Sequence, residues 1–209
     1  MRNQGFTLLE LMISLSILAV IGALGLVALN SSTSAMAVSQ AKGDVQRGVR
    51  DVVLAMSREL QLASNNGDAS LSPPLVPVAI VDNPATGSPV EVVFQVPADG
   101  TGRVWSRAIR FRFENEDTNG NARLDSGEDL NGDGLLQRRV MRLQDRNGDG
   151  DFSDGGEQSP VGGFNNLSNV QFNLAGDLLT VTVTATRLVG TRRTAPVTAT
   201  SSNRIYLVN

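Results

Sequence analysis

Apolar residues run almost unbroken from Phe6 to Leu29, and one carboxylate, Glu10, interrupts them near the start. At 1.5 Å per residue a helix over this stretch is roughly 36 Å long, more than the hydrocarbon core of about 30 Å. The pattern predicts a membrane-spanning helix with room to tilt. Further on, Val38, Ala41, Val45, Val49, Val52, Val53, Met56 and Leu60 recur at helical spacing, while Lys42, Asp44, Arg47, Arg50, Asp51, Arg58 and Glu59 fall largely on other faces. One helix therefore continues over 30–66 as an amphipathic rod, and along its whole length Gly22, Gly25, Gly43 and Gly48 weaken it by about 1 kcal/mol each relative to alanine. Asn65-Asn66-Gly67 supplies its stop.

After the helix the period changes from about 3.6 to 2. Segment 67–89 holds Pro73, Pro74, Pro77, Pro84 and Pro89 among Ser and Gly, and reads as a surface loop. Strand signals follow at Val90 to Val96, Arg107 to Phe113, Arg138 to Leu143, Val170 to Leu174, Leu178 to Thr186 and Arg204 to Val208. In the second of these, Ile109, Phe111 and Phe113 alternate with Arg110 and Arg112, which places the arginines on a solvated face. Strands joined by turns after one long helix predict an α+β fold, with an antiparallel sheet packed on the helix and one globular domain over 67–209.

Glu10 needs explaining, because an ionised carboxylate costs roughly 2.5–3.5 kcal/mol at the centre of a transmembrane helix and less near its end. The polar leader Met1-Arg2-Asn3-Gln4-Gly5 ends in glycine directly before the apolar run, whereas a secretory signal is cut after its apolar stretch. Gly5-Phe6-Thr7-Leu8-Leu9-Glu10 resembles the class III leader of type IV prepilins and type II secretion pseudopilins. The resemblance implies that prepilin peptidase cuts after Gly5 and that Phe6 becomes the N-methylated first residue of the mature chain. It also implies that Glu10 faces the α-amino group of a neighbouring subunit, an amine of ordinary pKa about 7.7–8.0 that stays basic when methylated. Arg107 to Phe113, Leu135 to Val140 and Asn169 to Phe172 are similar in order to the sheet region of PilW-type minor pilins and the related J-type pseudopilins.

Between two predicted strands lies an acidic, glycine-rich insert over 114–157. In its first repeat, Asp117, Asn119, Asn121, Asp125 and Glu128 supply side-chain oxygens at the first, third, fifth, ninth and twelfth positions of an EF-hand loop, with the Arg123 carbonyl at the seventh. Ala122 stands where the sharp turn wants glycine. The second repeat, Asp129-Leu-Asn131-Gly-Asp133-Gly134, fits the first half, but Val140 occupies its twelfth position. In the third, Asp145, Asn147, Asp149 and Asp151 fit again, with Asp154 and Glu157 close to the closing position but not on it. Ca²⁺ takes six to eight hard oxygen ligands, which alternate side chains of a curled loop can bring together, whereas Mg²⁺ tolerates loose geometry poorly. The same strings also form hairpin turns, so three repeats rather than one carry the calcium reading. No helix pair flanks them, and the expectation is EF-hand-like or dockerin-like loops on a hairpin.

Composition narrows the alternatives. The 209 residues carry a net charge of −3 with no Cys and no His, which excludes disulfides, thiolate sites and imidazole chemistry. Aromatic residues make up 4%, and no basic stripe interleaves with them, so nucleic acid is not an expected partner. No nucleophile and base can be paired, and no enzyme activity is expected. The reading is a minor pilin, single-pass in the inner membrane with its soluble domain outside the cytoplasm, which then joins a pilus or pseudopilus with other pilin subunits. A type II secretion pseudopilin and a membrane-anchored calcium-dependent adhesin are the alternatives.

Overall fold

A computed structural model of the chain describes residues 7–82, 89–99, 101–119, 121, 123–129, 134, 136–149, 151–152, 154–189 and 195–208. One helix, α1, runs without a break from Leu8 to Leu60. Thr7 caps it through a capping box: its hydroxyl accepts the Glu10 N–H at 3.3 Å, and the Glu10 carboxylate accepts the Thr7 N–H at 3.5 Å. Residues 7–40 are exposed throughout, and the first half of α1 is long and apolar enough to cross a membrane. The second half buries Ala41, Val45, Gly48, Val49, Val52, Val53, Met56, Ser57 and Leu60, the stripe expected from the spacing except for Val38, which stays exposed. The helix ends at Leu60, before the Asn65-Asn66-Gly67 stop, because 61–62 form a turn and Ser64 already bridges to Val208.

Eight strands follow among the described residues: β1 (Ala79–Asp82), β2 (Pro89–Phe94), β3 (Ile109–Asn115), β4 (Arg138–Gln144), β5 (Gln158–Pro160), β6 (Leu167–Ala175), β7 (Leu178–Val189) and β8 (Ala195–Tyr206). They form two antiparallel sheets rather than one, in the orders β1-β2-β3-β4-β5 and β6-β7-β8. The fold is α+β, with α1 packed on β7 and β8, and β6 lying against β2 and β4. Two strands escape the hydrophobic pattern. β1 lies inside the segment read as a loop, and its burial pattern is almost wholly exposed, so no alternation marks it. β5 is three exposed residues held by β4.

The core joins α1 to both sheets through Val45, Val49, Val52, Met56, Leu60, Phe94, Ile109, Phe111, Val140, Leu167, Leu179 and Ile205, among others. Phe94 and Phe111 meet at 4.9 Å between ring centroids with a tilt of 51°, a favoured aromatic geometry. Two glycines permit close approach at the helix. Gly48 lies directly under the Phe164 ring, and Gly162, at φ 71°, would carry a Cβ only 2.8 Å from Val52 Cα. The arginines of β3 are not simply solvated. Arg110 and Arg112 both reach back to Glu91 on β2, a carboxylate left 8% exposed, so the carboxylate is paired and the three side chains keep one net positive charge.

Candidate functional site

Two regions carry the residues singled out by the sequence. At the N-terminus, Gly5 and Phe6 lie outside the described residues. Glu10 is exposed on the first turn of α1, and its carboxylate folds back on the Thr7 N–H. A helix N-terminus attracts negative charge, so this arrangement holds the carboxylate at the apolar rod's leading end.

The insert forms two loops at opposite ends of the β3–β4 ladder. The first, 117–128, connects β3 to β4 beyond the Asn115↔Arg138 pair; the second, 145–157, connects β4 to β5 beyond the Ile109↔Gln144 pair. With six residue steps of about 3.4 Å between them, the loops are roughly 20 Å apart. They are therefore separate sites, not lobes of one hairpin tip. Backbone bonds close the neck of each: Glu116 N–H to Gln137 O at 3.0 Å, and Gln144 N–H to Glu157 O at 2.9 Å.

Five of their internal hydrogen bonds correspond, pair by pair. In the first loop Glu128 Oε1 accepts the N–H groups of Thr118 and Asn119 at 3.0 and 3.3 Å; in the second, Glu157 Oε1 accepts those of Arg146 and Asn147 at 2.6 and 3.3 Å. Asn119 Oδ1 accepts from Asn121 N–H at 3.0 Å, and Asn147 Oδ1 from Asp149 N–H at 2.9 Å. Asn121 Oδ1 accepts from Arg123 N–H, as Asp149 Oδ1 does from Asp151 N–H. The amide of Asn119 donates to Asp125 Oδ2, and that of Asn147 to Asp154 Oδ2. Immediately before each glutamate stands a glycine in the left-handed region, Gly127 at φ 91° and Gly156 at φ 89°.

This correspondence corrects the spacing of the third repeat. Asp154 is the counterpart of Asp125 and Glu157 the counterpart of Glu128, so Glu157 does close its loop, which has thirteen positions instead of twelve. The extra residue falls between Asp151 and Asp154, where the half-buried Phe152 ring lies beneath the Arg110 guanidinium at 5.3 Å. A closing string was present in the sequence, Asp125-Ser-Gly-Glu128 and Asp154-Gly-Gly-Glu157, but a fixed twelve-residue template passes over it. The middle repeat fares differently. Asn131 and Asp133 lie outside the described residues, as do Gly120 and Ala122. Gly134 N–H binds Asp129 Oδ2 at 2.9 Å, and Val140 at the twelfth position is a fully buried residue of β4 paired with Phe113, so the chain there is committed to the sheet.

Polar donors favour the ionised form of three loop carboxylates, Glu128, Asp125 and Asp149. Thr118 hydroxyl and backbone N–H groups keep Glu128 below the usual glutamate range; the Asn119 and Asn121 amides do the same for Asp125, and the Asp151 N–H with the Asn147 amide for Asp149. Both closing glutamates are buried, at 5% and 2% exposure, and Glu157 Oε2 has no hydrogen-bond partner among the described residues. Such an atom calls for a proton, a water or a cation. Among the described residues no three carboxylates stand close enough to form a ready-made cation cage. Amide N–H groups and arginines occupy the spaces between them, which satisfies negative charge by hydrogen bonding. The donor set itself, carboxylate and amide oxygens with backbone carbonyls, is the hard-oxygen chemistry that suits Ca²⁺.

The N-terminal segment matches a family model. Residues 1–26 match the model for the prokaryotic N-terminal methylation motif. Residues 1–26 carry a prepilin-type motif. The match takes in Gly5, Phe6, Glu10 and the first turns of the apolar helix, and is consistent with a type IV pilin-like protein. It implies processing by prepilin peptidase and assembly with other pilins, and with the apolar helix it points to membrane anchoring. No curated protein and no solved structure matches the chain.

Proposed function

We propose that the mature chain is a minor subunit of a type IV pilus, similar to the PilW type, whose exposed domain is braced by two calcium loops. Its work is assembly rather than catalysis. The leader supports the first half of this reading: cleavage after Gly5 frees the Phe6 amine, which Glu10 of a neighbouring subunit then meets inside the apolar bundle, where low dielectric strengthens the pairing. The second half is supported by one observation, the matched hydrogen-bond pattern of loops 117–128 and 145–157, each closed by a buried glutamate. Two unrelated turns have no reason to share five bonded pairs and a left-handed glycine.

A calcium ion supplies two positive charges to clustered carboxylates in a chain that lacks disulfides. The residues' part is to present it with oxygens. Asp117, Asn119, Asn121, the Arg123 carbonyl, Asp125 and Glu128 form the first set; Asp145, Asn147, Asp149, Asp151, Asp154 and Glu157 form the second. Asp129, Asn131 and Asp133 lack a closing carboxylate of their own and need one from outside the repeat, such as Glu128.

N-terminal mass spectrometry of membrane fractions tests the first half, with N-methylated Phe6 expected and an intact Met1 in cells with active peptidase fatal to it. Co-purification with pilus subunits supports the minor pilin, and with secretion subunits the pseudopilin. Thermal melts of the full chain in nonionic detergent test the second half. Calcium at a hundredfold excess over its dissociation constant should add about 2.7 kcal/mol per site, and magnesium less.

A further inference from the structure

Each loop keeps an arginine on its first carboxylate. In the first loop Arg138 Nη1 lies 3.0 Å from Asp117 Oδ2, with side chains only 15% and 1% exposed. In the second, Arg107 Nη1 lies 3.8 Å from Asp145 Oδ1, at 49% and 22% exposure. The Arg107 guanidinium also rests on the loop backbone, where a methyl group at Gly148 would collide with it. Neither arginine belongs to a loop: Arg107 precedes β3 and Arg138 opens β4. The same device thus stands at opposite ends of the ladder, built from different strands.

Resting on the calcium reading above, we propose that Arg107 and Arg138 are resident counter-cations that Ca²⁺ must displace, and that they set the affinity and order of filling of the two loops. The first carboxylate of such a loop is a direct ligand, so its oxygen cannot serve the guanidinium and the ion equally. A divalent ion and a guanidinium about 6 Å apart in a water-like dielectric repel by about 1.4 kcal/mol, close to tenfold in affinity, and salt reduces this. Arg107 is half exposed and only loosely paired, so it swings into solvent at small cost. Arg138 is only 15% exposed and tightly paired, and its release leaves a partly desolvated charge. The loop at 145–157 therefore fills first.

Calcium titration calorimetry of the full chain in nonionic detergent micelles tests this. Arg107→Gln should tighten the first-filled site about three- to tenfold, Arg107→Lys should stay within about twofold of the parent, and Glu157→Gln should abolish the tighter step while Glu128→Gln spares it. Unchanged or weaker binding in Arg107→Gln, or loss of the tighter step in Glu128→Gln instead, overturns the proposal while leaving calcium binding intact. No binding by the parent chain up to about 5 mM overturns the calcium reading itself, and this proposal with it.

Discussion

Single residues in the loops show how charge is carried without a lysine or histidine beside it. Asp125 and Glu128 keep lowered pKa values because hydrogen-bond donors favour the ionised form. A folded-state pKa below the unfolded value contributes stability that is fully present above the unfolded pKa and is lost as pH falls through the folded one. Carboxyl carbon NMR should therefore show Asp125 and Glu128 titrating below the ordinary 3.8 and 4.5, and loop protection against hydrogen exchange should fade below about pH 4. Ordinary or raised values would mean that the Thr118, Asn119 and Asn121 donors do not hold these groups in solution. Glu128 was legible from its place in a spacing template. Glu157 was legible only as lying near the closing position, since one inserted residue shifts the count while the hydrogen bonds that define its role are made across the loop.

At the scale of elements, α1 tests whether helix propensity or packing governs a glycine. Gly43 and Gly48 look alike in the sequence, and alanine at either should gain about 1 kcal/mol from propensity alone. A Cβ at Gly43 meets nothing within 4 Å, but at Gly48 it meets the Phe164 ring at the root as well as the edge. Overpacking of this kind costs typically 1–3 kcal/mol. Thermal melts should thus show Gly43→Ala stabilising by about 0.5–1 kcal/mol and Gly48→Ala destabilising by about 1–2 kcal/mol. Adding Phe164→Ala to Gly48→Ala should restore the propensity gain relative to Phe164→Ala alone. Equal effects at the two glycines would show that Phe164 does not pack on the helix. The same distinction explains the strands: β3 and β7 announce themselves by alternation, but β1 and β5 exist because a neighbouring strand offers them a ladder.

For the whole molecule the decisive contrast is between an exposed apolar rod and a head with a closed core. The fully exposed first half of α1 is long and apolar enough to cross a membrane, and in the proposed pilin role it is covered by lipid before assembly and by neighbouring subunits after it. Glu10→Gln should insert at least as well as the parent, since a charge is removed, yet incorporate poorly into sheared filaments because the neighbouring amine loses its counter-charge. Immunoblots of sheared and membrane fractions measure this, and undiminished incorporation would remove the pairing role. The sequence by itself determined the rod, its leader and its buried stripe, because these depend on local order along one helix whose period is constant. It also determined the donor chemistry of the insert. Only the tertiary structure decided that the strands divide into two sheets, that Arg110 and Arg112 share Glu91, and that the two loops sit at opposite ends of one ladder with Arg107 and Arg138 on their first carboxylates. Those relations join residues far apart in the chain, and strand pairing and burial, not spacing, bring them together.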